Sequence, residues 1–114
     1  MYEFDHVGIT TTIKQPNEDW VEQSRVWVTS PRNHPEHIEF LRYEPDSTVP
    51  EIIKANPHIA FRVEDLAPYI KGREIIIPPF VVGDFLEVAF VRKYNTIFEY
   101  MRYLRDGWFG NKDG

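Results

Sequence analysis

Asp5-His-Val-Gly-Ile9 and Pro57-His-Ile-Ala-Phe61 are the two stretches on which the reading of this chain turns. Each sets a histidine in a run that alternates in the β manner, and the second stands about half a chain after the first. Over residues 2 to 10, Phe4, His6 and Gly8 fall on one face and Asp5, Val7 and Ile9 on the other. Over residues 58 to 63, His58, Ala60 and Arg62 oppose Ile59, Phe61 and Val63. Each half also ends in a matching strand, His37-Ile-Glu-Phe40 and Ile97-Phe-Glu-Tyr100, with one Glu between apolar neighbours. The order along the chain is His, Glu, His, Glu.

Working outward, residues 11 to 17 are polar and carry Pro16, so a connection is expected before a second strand at Ser24 to Ser30. A loop at Pro31 to Pro35 leads to a strand from His37 to Tyr43. Ser47, Pro50 and Glu51 mark the entry to a short helix that ends near Asn56-Pro57. The second half continues with a short helix over Glu64 to Gly72, acidic in its first turn and closed by Gly72. Strands follow at Glu74 to Ile77, Phe85 to Arg92 and Thr96 to Tyr103, with Pro78-Pro79 and Gly83-Asp84 as breaks. Residues 105–114 are expected to fray as a tail, with Trp108 and Phe109 able to dock on the body.

If the halves form a pseudo-symmetric curved sheet, alternation aims His6, Glu39, His58 and Glu99 at the concave side. Val7, Ile9, Ile38, Phe40, Ile59, Phe61, Phe98 and Tyr100 then pack outward. A carboxylate facing an apolar interior loses its hydration, and only pairing, protonation or a cation offsets that loss. Two imidazoles and two carboxylates suit a divalent ion such as Zn, Ni, Mn, Fe or Co, with positions left for substrate oxygens.

Composition narrows the classes. The 114 residues and 42% hydrophobic content suit one compact domain. The 13 basic against 18 acidic residues, a formal charge of −5, disfavour nucleic acid and anionic membranes as partners. With no cysteine, disulfides, thiolate ligands and a Cys nucleophile are excluded. The start of the sequence resembles no secretory leader, and no stretch has the length of a bilayer span. A cytoplasmic protein acting on a small molecule is the expectation.

The stretches Asp5-His-Val-Gly-Ile9, Pro57-His-Ile-Ala-Phe-Arg-Val-Glu-Asp-Leu66 and Ile97-Phe-Glu-Tyr100 resemble the strand signatures of the vicinal oxygen chelate superfamily, which includes glyoxalase I, extradiol dioxygenases and antibiotic-resistance proteins. The resemblance covers nearly the whole chain to Leu104. It implies an α+β fold in which paired βαβββ modules form an open curved barrel, module one about 1–46 and module two about 57–104, within one domain at 1–104. It also implies metal ligands at His6, Glu39, His58 and Glu99. The first module departs from the pattern, because residues 10 to 15 are β-branched and polar where a helix is usual. A helix around Asn17 to Gln23 stays an open alternative.

The function this implies is a metal-dependent lyase or isomerase of the glyoxalase type. It would bind vicinal oxygens of a small substrate and stabilise an enediolate or enolate, with Glu99 as the catalytic base. Arg62, on the face of His58, is the candidate for a substrate carboxylate, and Tyr43, Phe85 and Tyr103 are candidates to line the cavity. Arg42 falls on the face opposite Glu39 and is assigned to the surface, His34 to a loop, and His37 to a strand end. The alternative is a protein of the same fold that sequesters a small molecule without turnover. An iron(II) dioxygenase fits less well, since its usual triad has one carboxylate. A homodimer is expected, to cover edges left by the incomplete first module.

Overall fold

β-Branched and aromatic residues in alternation carry eight segments into strands. The computed structural model describes residues 2–106. Its strands are β1 (Tyr2–Thr10), β2 (Asp19–Val21), β3 (Val26–Val28), β4 (Ile38–Tyr43), β5 (His58–Val63), β6 (Glu74–Val82), β7 (Leu86–Lys93) and β8 (Thr96–Tyr103). Two short helices, α1 (Glu51–Ala55) and α2 (Ala67–Ile70), and a 3-10 turn at Pro31–Asn33 complete the secondary structure. The eight strands form one sheet in the order β2-β3-β4-β1-β5-β8-β7-β6, curled into an open half-barrel.

The two halves repeat one plan. The first strand of each half lies parallel to its last, β1 beside β4 and β5 beside β8, and the other strands follow outward. The halves meet where β1 runs antiparallel to β5. At the opposite rims, Gln23 in the β2–β3 turn donates from Nε2 to the Val81 carbonyl of β6 at 2.8 Å, so a hydrogen bond spans the mouth.

Burial follows the two faces of the sheet. The concave face carries a core that includes Val26, Val28, Leu41, Ala60, Val88 and Met101. Ile53 of α1 enters this core at 2% exposure, so the connection between the halves packs over the concave side. The convex face of the second half is closed by α2, where Leu66 joins Val63, Ala89, Val91 and Tyr100.

Five local expectations change. The strand expected within Ser24 to Ser30 is β3, and in place of the alternative helix at Asn17 to Gln23 stands its hairpin partner β2: Trp20 faces Trp27 across the strands, ring centroids 4.8 Å apart, and Val21 faces Val26. Cross-strand aromatic and β-branched pairs stabilise this arrangement. The β6 strand runs through Pro78-Pro79 to Val82, with register irregularities around Ile77. It is an edge strand, so prolines can be accommodated without breaking a ladder on both sides.

The N-cap of α1 is Pro50 and not Ser47, whose Oγ donates to the Ser24 carbonyl at 2.6 Å and ties the connection to the first hairpin. The second helix is confined to Ala67–Ile70, so Glu64 and Asp65 precede it.

The last change matters most for the site. A bulge between Phe4 and His6 adds a residue to β1 and shifts its phase. Phe4 therefore joins the outer face against Phe61, while Asp5 turns inward and is buried beside His6. At the far end, the Leu104 amide donates to the Phe85 carbonyl at 2.8 Å. Trp108 and Phe109 lie outside the described residues. Among the described residues no helix is long and apolar enough to cross a membrane.

Candidate metal centre

The strand register assembles the centre from both halves. Across the β1–β5 junction His6 pairs with Ala60 and Gly8 with His58. The flanking parallel strands place Glu39 beside Gly8 and Glu99 beside Ala60. Each small residue is thus flanked by one imidazole and one carboxylate. The four side chains are buried on the concave side, with exposures of 1% for His6, 6% for Glu39, 2% for His58 and 7% for Glu99.

One ligand atom from each of these residues lies within 4.8 Å of all the others. His6 Nε2 is 3.2 Å from Glu39 Oε1 and 3.4 Å from Glu99 Oε1. His58 Nε2 is 3.7 Å and 3.1 Å from the same two oxygens. Neither Nε2 makes a hydrogen bond of sound geometry, although both are buried. Two orphaned imidazole nitrogens facing two carboxylates form a donor set that fits a divalent ion.

Asp5 fixes the form of His6. Its Oδ2 accepts from His6 Nδ1 at 2.7 Å, which leaves Nε2 as the nitrogen turned to the centre. Burial alone would raise the Asp5 pKa, but His6 and Arg32 outweigh it and hold the carboxyl below its ordinary range. Arg32 contacts Asp5 Oδ1 and donates to the Tyr103 hydroxyl at 2.8 Å. Arg62 stacks over the Tyr103 ring at 4.3 Å and comes within 3.4 Å of Asp5 Oδ1.

Sequence reasoning passed over Asp5 because strict alternation turned it outward. The one available signal was its place directly before His6. Asp5→Asn keeps the shape and removes the charge that orients the imidazole. Its expected effect is a loss of about 10–100-fold in metal affinity, read by titrating the variant with Co²⁺ and following visible absorbance.

The charges around the centre are coupled. Burial works against a proton on His6, yet the Glu39 charge and the contacts with Asp5 and Glu99 prevail and hold its pKa well above the ordinary 6.5. Burial would also raise Glu99, but His58 and His6 outweigh it and depress its carboxyl to about 2.

A cavity of about 60 Å³ opens beside the four side chains. Tyr43 lines it, and burial, followed by the Glu39 and Glu99 charges, pushes its phenol pKa up. Arg62 and Tyr103 line a different, outer recess with Tyr2 and Glu64, separated from the centre by Asp5 and His6. Phe85 is fully buried in the concave core and is not among the cavity walls. His37 is exposed ahead of β4, and Arg42 pairs with Glu18 through two hydrogen bonds.

No family model matches the chain, and no curated protein does. Among solved structures it is similar to a hypothetical protein from Bacillus halodurans, with TM-score 0.69 and 17% identity over 94% of this chain and 98% of that one. It is also similar to a triple mutant of 4-hydroxymandelate synthase from Streptomyces coelicolor, with TM-score 0.52 and 17% identity over 96% of this chain. The match spans 50% of the synthase chain. At these identities the likeness concerns the fold. Together with the repeated strand plan and the curled half-barrel, it fits a vicinal oxygen chelate fold.

Proposed function

We propose that the chain is a metal-dependent lyase or isomerase that takes a small substrate carrying two adjacent oxygens. The observation that supports this reading is the convergence of one His and one Glu from each half, with both Nε2 atoms lacking hydrogen-bond partners. When bound, a divalent ion supplies Lewis-acid polarisation of substrate oxygens.

The chain's own residues supply the rest. His6 and His58 present their Nε2 atoms, and Asp5 holds the His6 tautomer. Tyr43 keeps its proton because its phenol pKa is raised, so it serves as a neutral hydrogen-bond donor at the cavity wall. The apolar walls lower the polarity around the centre and so strengthen its electrostatic interactions. Glu99 takes the proton at a carboxylate oxygen. A carboxylate engaged as a ligand is a weak base, so this role would require Glu99 to detach.

The first test is Co²⁺ titration of metal-free protein, with one equivalent bound and a visible spectrum expected. Failure to take up any of Zn²⁺, Ni²⁺, Mn²⁺, Fe²⁺ or Co²⁺ would remove the reading. The second is exchange of carbon-bound hydrogen in hydroxyacetone and related α-hydroxycarbonyls in D₂O. Metal uptake without exchange across such a set replaces the enzyme with a sequestering protein.

A pH dependence follows for the metal-free protein. The raised His6 pKa contributes stability that is fully present below 6.5 and is lost as pH rises through the folded value. The depressed Glu99 pKa contributes stability present above 4.5 and lost as pH falls through about 2. Both contributions are complete between 4.5 and 6.5, where the metal-free melting temperature is expected to peak. Metal must displace the His6 proton, so Co²⁺ should stabilise the protein more as pH rises above that window. Melts across pH with and without Co²⁺ check both signs.

A further inference from the structure

The cavity wall carries no Lys or Arg among the described residues. Its polar groups are the four centre residues with Tyr43 and Ser24, and its other walls include Leu41, Val88, Phe90 and Met101. The basic side chains near this region are committed elsewhere. Lys54 donates to the Ser47 carbonyl and touches the cavity lining through the Tyr43 ring, 5.9 Å from its centroid. Arg62 and Arg32 are held against Asp5 and Tyr103, on the side of His6 away from the cavity.

Charge then decides what fits. Two neutral imidazoles, two carboxylates and a divalent ion sum to zero. A neutral ligand leaves that balance intact. A carboxylate ligand adds one negative charge in an apolar recess, beside Glu39 and Glu99, with no cationic side chain to meet it, and an unpaired buried charge costs several kcal/mol.

We infer that the cavity selects neutral ligands with vicinal oxygens, such as α-hydroxycarbonyls or α-hydroxyamides, and rejects their carboxylate counterparts. The inference rests on the metal-centred reading above and narrows its substrate class. It also withdraws Arg62 from the role of substrate-carboxylate partner.

Lactamide and lactate provide the test, because they share a shape and an oxygen pair and differ in charge. Free Co²⁺ in water favours the anion, so a preference for lactamide must come from the protein. Co²⁺-loaded protein is titrated with each by calorimetry, and the visible spectrum reports entry into the metal's coordination sphere. Lactamide is expected to bind at least about tenfold more tightly than lactate. Lactate binding as tightly as lactamide, or more tightly, overturns this inference while leaving the metal centre standing. Absence of Co²⁺ uptake in the preceding titration overturns both, and the two failures are read from separate measurements.

Discussion

Glu99→Gln is expected to weaken Co²⁺ binding by about 100-fold or more while the protein stays folded. The substitution preserves shape, so the packing of β8 against β5 and β7 is kept. What changes is the charge balance: with one carboxylate left, a divalent ion is buried with a net positive charge. Four ligands share about 10–16 kcal/mol of binding in structural zinc sites, so each carries roughly 3 kcal/mol, equivalent to about 100-fold. The metal-free variant is expected to melt lower than the parent above pH 4.5, because the depressed Glu99 pKa means that its charge favours the folded state there. Visible absorbance and thermal melts measure the two effects separately. Unchanged Co²⁺ affinity would remove Glu99 from the ligand set.

Gly8→Ala is expected to disable the centre just as strongly from a position that offers no ligand. A Cβ built on Gly8 would fall within the His58 imidazole, in collision with its Cε1 and Nε2 atoms. The backbone of β1 is held on both sides by β4 and β5, so the ring is the part that moves. The fold should survive at a cost of about 1–3 kcal/mol, the usual range for overpacking. Metal affinity should fall to the level of His58→Ala.

The double variant Gly8→Ala/His58→Ala separates collision from ligand loss. Removing the ring relieves the clash, so the double variant is expected to melt higher than Gly8→Ala alone, and it should still bind no metal tightly. If Gly8→Ala retains parental Co²⁺ affinity, the ring has room to spare and the close approach of β1 to His58 is not needed.

Much of this arrangement was legible in the sequence, for a definite physical reason. In long strands such as β1, β5 and β8, alternation assigns each side chain to a face, and equivalent positions in two halves then share one face. His6, Glu39, His58 and Glu99 could therefore be placed together before any coordinates. Alternation does not give depth. Arg62 and Tyr103 stand four residues beyond His58 and Glu99, about 13 Å along their strands, and so belong to the outer recess.

Phase was the second limit. One extra residue in β1 reversed the faces of Phe4 and Asp5, and nothing in a hydrophobicity pattern marks a bulge. Length was the third, since the three-residue strand β2 is too short to display a period. Pro78-Pro79 suggested a break because sequence does not tell an edge strand from a central one.

The division of the donor set between the halves has a mechanical side. The backbone joins them through β1 and β5, with Gln23 and Val81 meeting at the opposite rim. Neither half can grip a cation in full, since each brings only one imidazole and one carboxylate. An ion seated there would act as a rivet through the seam: any slip of one half against the other would stretch its bonds to the opposite pair.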